Sequence, residues 1–306
     1  MNARNRGGET IVEPDMTRLR GPFAATAAAT LFLIGACARP ADDAGGGSSA
    51  GTPATAAPSG DDLVIRVRQE GGFVPPERIV GRIPTVSVYA DGRIITEGPV
   101  TMVYPGQALP NLQLERIDPA RVTDLAEQAV RAGVRTGADL GSPGVADAPT
   151  TRVDVVTADG PQTVSAAALG EAMPDDPNLT AEQQAARTKL SGFVKSLTER
   201  QPGAQQPYRA EAMAALAQPY DKPDDGLPKQ PGPIAWPGPA LPGEYLNPNV
   251  KIGCVVATGA ELDTVLAAAE KANQNTPWSS GGNTYSITFR PLLPDETGCA
   301  DLKAAR

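Results

Sequence analysis

The side chains of this sequence that could do chemistry are three cysteines and a small set of carboxylates. Carboxylate catalysis needs an acid and a base. These could come from four acidic residues: Asp147, Asp154, Asp295 and Glu296. The 306-residue chain contains no histidine, which excludes Ser-His and Cys-His nucleophile pairs and zinc sites that need imidazole. Because solvated loops and strand faces routinely carry acidic residues, we expect no catalytic site and predict that the protein is not an enzyme.

Metal and cofactor sites have no specific signature in the sequence. Three acidic residues before Gly226 lack the Asp-x-Asp-x-Asp-Gly spacing of a calcium loop: Asp221, Asp224 and Asp225. We therefore predict a polar turn at this position, with no metal and no cofactor in the protein.

Cys37 follows a short apolar segment. Arg18 and Arg20 precede an uncharged run over residues 23–34, which ends in Gly35-Ala36 directly before the cysteine. This pattern is typical of a secretory signal. The run is about eight residues shorter than the roughly 20 that a helix needs to cross a bilayer, so we do not expect a stable membrane span.

The residues Ile34-Gly35-Ala36-Cys37 resemble the bacterial lipobox, in which the cysteine takes a diacylglycerol and becomes the first residue of the mature protein. The resemblance implies a signal peptide over residues 1–36 and a lipid anchor at Cys37. It also implies a location at the extracytoplasmic face of the cell membrane. Three acidic residues between Met1 and Met16 suit a signal peptide poorly. Both Met1 and Met16 are therefore candidates for the true start.

Residues 37–61 are predicted to be a flexible, lipid-anchored tether. They lack the large apolar side chains that could offset the cost of ordering the segment. As a random coil, the tether reaches roughly 25 to 30 Å.

Removal of residues 1–36 leaves 23 of the 27 basic and 32 of the 35 acidic residues, a net charge of −9. We therefore expect no nucleic acid as a partner.

Cys254 and Cys299 remain after the anchor is assigned. In an oxidising exterior compartment, an even pair of cysteines is more often a disulfide than two reactive thiols. Neither cysteine has a Cys-x-x-Cys spacing or a histidine neighbour that would indicate redox cycling. We therefore predict a structural bond between them.

The first module, residues 62–200, begins with a period-two apolar pattern from Leu63 that predicts a half-buried strand. Hairpins are predicted at Asp91-Gly92 and Asp159-Gly160, because a type I′ turn needs positive φ at its central positions. Short apolar runs at residues 101–104 and 112–114 could add further strands.

Two helices follow strands in the first module. Asp118 precedes an apolar periodic run that ends at Gly133, and Thr180 with Gln183 forms a capping box for a second helix. The order of elements predicts an α+β fold in which an antiparallel sheet is backed by two helices.

Residues 201–249 form a Pro-rich connection with 11 prolines. One alternative is a flexible linker. The other is a segment packed along the first module by Trp236, Leu241 and Tyr245, which we favour because aromatic residues are uncommon in spacers. Residues 208–216 could be strand or helix.

The last module, residues 250–306, is predicted to be a small disulfide-closed strand-helix-strand unit. Cys254 begins its first strand, and Thr258 with Glu261 suggests a capping box for the helix. An alternating pattern around Ile287 predicts a strand that returns beside the first one.

Trp236, Trp278 and Tyr245 form the candidate binding surface. The two indole rings lie among Pro, Gly and Ser residues and could stack on a sugar or a peptide. The alternative for both rings is a place in the core.

Short motifs spread over the chain resemble those of secreted lipoproteins of actinobacteria whose function is uncharacterised. The motifs are Gly71-Gly72-Phe73, Tyr89-Ala-Asp-Gly-Arg93, Tyr104-Pro-Gly-Gln-Ala-Leu-Pro-Asn-Leu112, Asp147-Ala-Pro-Thr-Thr151, Ala235-Trp-Pro237 and Arg290-Pro-Leu-Leu-Pro-Asp-Glu296. The order of the first module is also similar to emfourin, a small inhibitor of thermolysin-like peptidases. The connection over residues 97–111 departs from the emfourin pattern, and no inhibitory residue can be carried over.

These observations predict a lipid-anchored, non-catalytic exported protein. It would hold a binding or scaffolding surface for an envelope protein or ligand outside the membrane, to which the acylated Cys37 attaches it. The alternative function is a membrane-tethered peptidase inhibitor.

Overall fold

The computed structural model describes residues 60–199, 204–227 and 230–304. The predicted signal peptide, Cys37 and nearly all of the tether lie outside the described residues. The described chain is an α+β fold with a large antiparallel sheet, few helices and a disulfide near its C-terminus. The predicted fold class is confirmed at that level.

The first sheet has seven strands in the order β6-β5-β1-β2-β3-β4-β7, and all neighbours are antiparallel. Its strands are β1 (Leu63–Glu70), β2 (Val86–Tyr89), β3 (Arg93–Glu97), β4 (Leu112–Arg116), β5 (Thr150–Thr157), β6 (Gly160–Ala167) and β7 (Gln206–Pro207). Its helices are α1 (Pro76–Val80), α2 (Ala120–Arg131) and α3 (Ala181–Thr198). The strand suggested at residues 112–114 is β4, whereas residues 101–104 are not a strand.

Both predicted hairpins are present, as β2–β3 and β5–β6. Gly92 has φ +86° and Gly160 has φ +106°, a region that favours glycine. A Cβ at Gly92 would also collide with the carbonyl oxygen of Ile117, whereas the space around Gly160 is open. Gly92 is therefore required by both its conformation and its packing.

The helix signals also match the structure. Asp118 Oδ1 accepts a hydrogen bond from the Ala120 N–H at 2.9 Å before α2. At α3, Thr180 and Gln183 form the predicted capping box, with N–H to side-chain oxygen distances of 3.0 and 3.2 Å. Apolar residues of both helices lie in one cluster with the first sheet: Val122, Ala126 and Ala129 of α2, and Leu190, Phe193 and Leu197 of α3.

The second sheet has six strands in the order β10-β11-β8-β13-β12-β9. They are β8 (Ala212–Pro219), β9 (Ile234–Ala235), β10 (Glu244–Asn247), β11 (Ile252–Thr258), β12 (Trp278–Ser280) and β13 (Asn283–Pro291). Helix α4 (Gly259–Ala269) joins β11 to β12, and α5 (Cys299–Ala304) follows β13. Residues 201–249 thus contribute β7 to the first sheet and three strands to the second.

Strand β8 lies between β11 and β13 and is antiparallel to both. This corrects the expectation that β13 returns directly beside β11. The reason is the run Met213-Ala-Ala-Leu-Ala217, which is buried throughout and fits a strand with neighbours on both edges. A second correction concerns Thr258, which precedes α4 but makes no side-chain cap hydrogen bond.

The disulfide between Cys254 and Cys299 is present, with the two Cα atoms 6.0 Å apart. It joins β11 to the first residue of α5. Cys254 is buried in a cluster with Leu216, Ile252 and Leu302, so the bridge holds the C-terminal helix against the edge of this core.

Replacing both Cys254 and Cys299 by Ala should lower the free energy of unfolding by about 4 kcal/mol, because the bond closes a loop of 45 residues in the unfolded chain. Urea unfolding measures the loss, and Cys37→Ala is the control that leaves both cysteines in place. Two free thiols at these positions in the denatured, unreduced protein would contradict the bond.

Candidate functional site

Three of the four carboxylates proposed for chemistry accept hydrogen bonds from other side chains. Asp154 accepts hydrogen bonds from Arg152 Nε at 3.0 Å and from the Thr163 hydroxyl at 2.7 Å. Asp295 and Glu296 each face a guanidinium group. Asp147 contributes its backbone, since its carbonyl oxygen accepts from the Phe73 N–H at 3.1 Å. The acidic side chains thus serve as partners for arginines and hydroxyls.

The contact between Arg66 and Asp295 joins the two sheets. Alternation along β1 places Ile65 and Val67 in the helix-covered core and Arg66 on the opposite face. Arg66 Nη2 lies 2.8 Å from Asp295 Oδ1, and the Tyr89 hydroxyl donates to the same oxygen at 2.7 Å. Burial raises the pKa of Tyr89, and the Asp295 carboxylate raises it further, so the hydroxyl remains a donor.

Arg290 and Glu296 form a second, more deeply buried pair. Arg290 Nη2 donates to Glu296 Oε1 at 2.7 Å, and the Leu293 N–H donates to Glu296 Oε2 at 2.8 Å. The Tyr208 hydroxyl fixes the same segment by donating to the Leu292 carbonyl at 3.0 Å, and burial raises the pKa of Tyr208 to about 12. The segment after β13 is therefore held by side chains from both sheets.

Trp236 and Trp278 lie in the core of the second sheet, with 8% and 1% of their surfaces exposed. Their rings are edge to face, 5.5 Å apart, and Phe289 packs edge to face 5.7 Å from Trp278. The Trp236 indole N–H donates to the Pro239 carbonyl at 2.6 Å. This burial corrects the stacking interpretation, because enclosed rings offer no face to a ligand. Tyr245 on β10 is exposed and remains at the surface.

The Pro-rich connection is packed around Trp236 and Leu241, as we favoured. The contacts of these two residues, however, are with the second sheet rather than along the first module. Both residues belong to the cluster that contains Val265 of α4 and Phe289 of β13. The cause is β8, which carries the connection into the second sheet before these residues are reached.

A surface feature between β3 and β4 was not predicted from the sequence. Residues 98–111, here called the β3–β4 loop, contain no charged side chain. Four apolar side chains of this loop are mostly exposed: Val100 (77%), Met102 (fully), Val103 (65%) and Tyr104 (59%). An uncharged run of this length directly after Glu97 was the available signal in the sequence. Exposed apolar clusters commonly mark interaction sites.

Hydrogen bonds hold the β3–β4 loop on either side of its apolar tip. Asn111 Nδ2 donates to the Pro99 carbonyl at 2.7 Å, before the tip. The Tyr104 hydroxyl donates to Asp225 Oδ2 at 2.9 Å, after it. The Gln274 N–H then donates to the Gly106 carbonyl at 2.9 Å. The tip, residues 100–103, thus lies between a hydrogen bond at the base of the loop and contacts with Asp225 and Gln274 in connections of the second sheet.

Asp225 is the acceptor that fixes one side of the loop. Burial alone raises its pKa, but hydrogen bonds from the Leu227 N–H, Tyr104, Asn275 and Gln230 outweigh that effect and lower the pKa below its usual value. The carboxylate is therefore ionised at neutral pH and accepts from all four donors. This is the place of the predicted polar turn.

Comparison with protein-family models, with characterised proteins and with solved structures gives no match.

None of the helices in the described part of the chain has the length and apolar composition that a bilayer crossing requires. This part of the chain also contains no group of three or more His, Cys, Asp or Glu residues that could hold a metal ion.

The charge contact between the sheets generates a stability prediction. Asp295→Asn should lower the free energy of unfolding by about 2 kcal/mol, because Arg66 and Tyr89 both lose a charged acceptor in a partly buried site. Glu127→Gln is the matched control, since its pair with Arg131 is exposed and should matter by less than about 0.5 kcal/mol. Urea unfolding of both variants tests this, and equal losses would contradict it.

Proposed function

We propose that the protein is an exported, lipid-anchored, non-catalytic module that binds an envelope protein. The lipobox-like sequence at Cys37 supports the anchor. The resemblance to secreted actinobacterial lipoproteins agrees with this location. The engagement of Asp154, Asp295 and Glu296 by arginines supports a role other than acid–base catalysis.

The observation that carries the proposal is the exposed apolar tip of the β3–β4 loop. Exposure of valine and methionine side chains to water costs free energy, roughly 25 cal/mol for each Å² of apolar surface. Their burial against a partner would therefore be favourable. The hydrogen bonds at Pro99 and Tyr104 reduce the entropy that the loop would lose on binding. The tip therefore has both the chemistry and the pre-organisation of a contact element.

The position of the loop relative to the tether also supports a partner protein. Gly60 and Asp61, where the described chain begins, accept hydrogen bonds from Arg93 at the start of β3. The loop begins after Glu97, at the other end of this five-residue strand. About 15 Å of strand thus separates the tether from the loop. The loop therefore begins at the opposite end of β3 from the point at which the anchor would attach.

The anchor is tested by Cys37→Ala. This change should move the protein from the membrane fraction to the soluble fraction or to an unprocessed form, because the acylated thiol is lost. Its unfolding midpoint should stay the same, since Cys37 precedes the folded region. Identical membrane partitioning and identical acyl labelling of the wild type and the variant would contradict the anchor.

The contact surface is tested by a triple variant, Val100→Ser, Met102→Ser and Val103→Ser. In cross-linking on intact envelopes, a protein joined to the wild type should be lost from this variant, because the apolar contact area is removed. The matched control is Val156→Ser with Met173→Ser, two exposed apolar positions elsewhere on the surface. Cross-links that are the same in all three proteins would contradict a role for the loop.

The alternative is a membrane-tethered inhibitor of thermolysin-like peptidases. An uncharged, exposed segment held at both ends has a shape that a peptidase cleft could accept, and this observation favours the alternative. Titration of the protein against a thermolysin-like peptidase separates the two functions. Stoichiometric loss of peptidase activity, relieved by the triple serine variant, would establish the inhibitor.

A further inference from the structure

A cavity of about 70 Å³ lies beside the contact between the two sheets. Its charged walls come from four arginines and two glutamates: Arg66, Arg68, Arg82, Arg290, Glu70 and Glu296. Apolar side chains form much of the remaining wall: Ile79, Val80, Ile83 and Leu302. Apolar walls lower the local dielectric, which strengthens a hydrogen bond from a guanidinium group to an anion.

Three of the four arginines already have carboxylate partners. Arg66 pairs with Asp295 outside the lining, and Arg68 lies 3.0 Å from Glu70 and 3.7 Å from Asp154. Arg290 pairs with Glu296 at 2.7 Å. The charges of these arginines are therefore largely balanced within the protein.

Arg82 is different. Its Nη1 donates to the carbonyl oxygens of Gln69 and Gly71 at 2.9 and 3.0 Å. Within the described residues it forms no salt bridge. Burial raises the pKa of Glu97, and the charges of Arg290 and Arg82 partly offset this rise, so Arg82 interacts with the Glu97 carboxylate only at longer range. A guanidinium group has five N–H donors, which leaves those on Nε and Nη2 for a ligand.

Arg290 supplies a second, independent observation. Its side chain is 2% exposed, and its Nη1 and Nη2 donate to Pro291 O and Glu296 Oε1. Its buried Nε has no hydrogen-bond partner among residues 60–199, 204–227 and 230–304. A buried donor without an acceptor is unfavourable, and an oxygen atom in the adjoining cavity would satisfy it.

We propose that this cavity binds a small oxyanion of the phosphate or sulfate type, held by Arg82 and by Nε of Arg290. Planar guanidinium groups match the oxygens of such anions, often through two parallel hydrogen bonds. This site is independent of the β3–β4 loop and of the proposed function.

Calorimetric titration of the purified full-length protein with sodium phosphate tests the site, with sodium chloride at equal ionic strength as the reference. Phosphate should give saturable heat that chloride does not give. Arg82→Gln should weaken phosphate binding at least tenfold. Arg121→Gln, which removes an exposed charge on α2, should leave it unchanged. Saturable heat with glycerol 3-phosphate as well would indicate a phosphate monoester as ligand, whereas heat with inorganic phosphate alone would indicate the free anion.

Two results would overturn the proposal: no saturable heat with the wild type, or equal phosphate affinity in a folded Arg82→Gln variant. If that variant fails to fold, NMR of the wild type decides. The Nε–Hε signal of Arg290 should shift saturably with phosphate, because the anion supplies its missing acceptor. A signal that stays constant as phosphate is added would equally overturn the site.

Discussion

The contact of Arg66 with Asp295 determines how the two sheets can meet, because β1 presents arginines on the face opposite the helices. Ile65 and Val67 are buried against α2 and α3, and the alternation of the strand then directs Arg66 and Arg68 outward. A purely apolar second layer would remove these guanidinium groups from water without a partner, at a cost of several kcal/mol each. The segment after β13 avoids this cost because it brings Asp295 and Glu296 to that face.

The same segment also completes an apolar region on the other half of the face. Leu293 packs with Ile95 and Leu114, which project from β3 and β4. Leu293 and Asp295 are two residues apart in a turn that is closed by the Glu296 N–H donating to the Leu293 carbonyl. This one turn supplies an apolar side chain to one part of the sheet and a carboxylate to the other. The Tyr208 hydroxyl and the Arg290–Glu296 pair keep this stretch in register, and the apolar and charged halves of the interface therefore depend on the same few residues.

The parts of the fold that could be predicted are those determined within a few residues of chain. The Asp91-Gly92 turn needs positive φ at Gly92, and the Thr180 capping box needs only a residue three positions later. Strand β8 could not be predicted, because its alanines favour helix by intrinsic propensity. Pairing with β11 and β13, whose residues come later in the chain, outweighs that preference. The burial of Trp278 depends on the same assembly, and an indole in a sequence does not show which side of a sheet it will occupy.

The β3–β4 loop depends on contacts that are still more distant in sequence. Its lack of charge is visible in the sequence, but a run of valine, methionine and tyrosine is equally typical of a buried segment. The tip is exposed because the loop is held by residues far away in the sequence. Asp225 is 121 residues from Tyr104, and Gln274 comes later still. These partners lie in connections of the second sheet, since Asp225 follows β8 and Gln274 lies between α4 and β12. The presented form of the loop therefore depends on how these connections pack against it. The proposed binding surface would therefore be formed only by the folded protein, in which these distant segments meet.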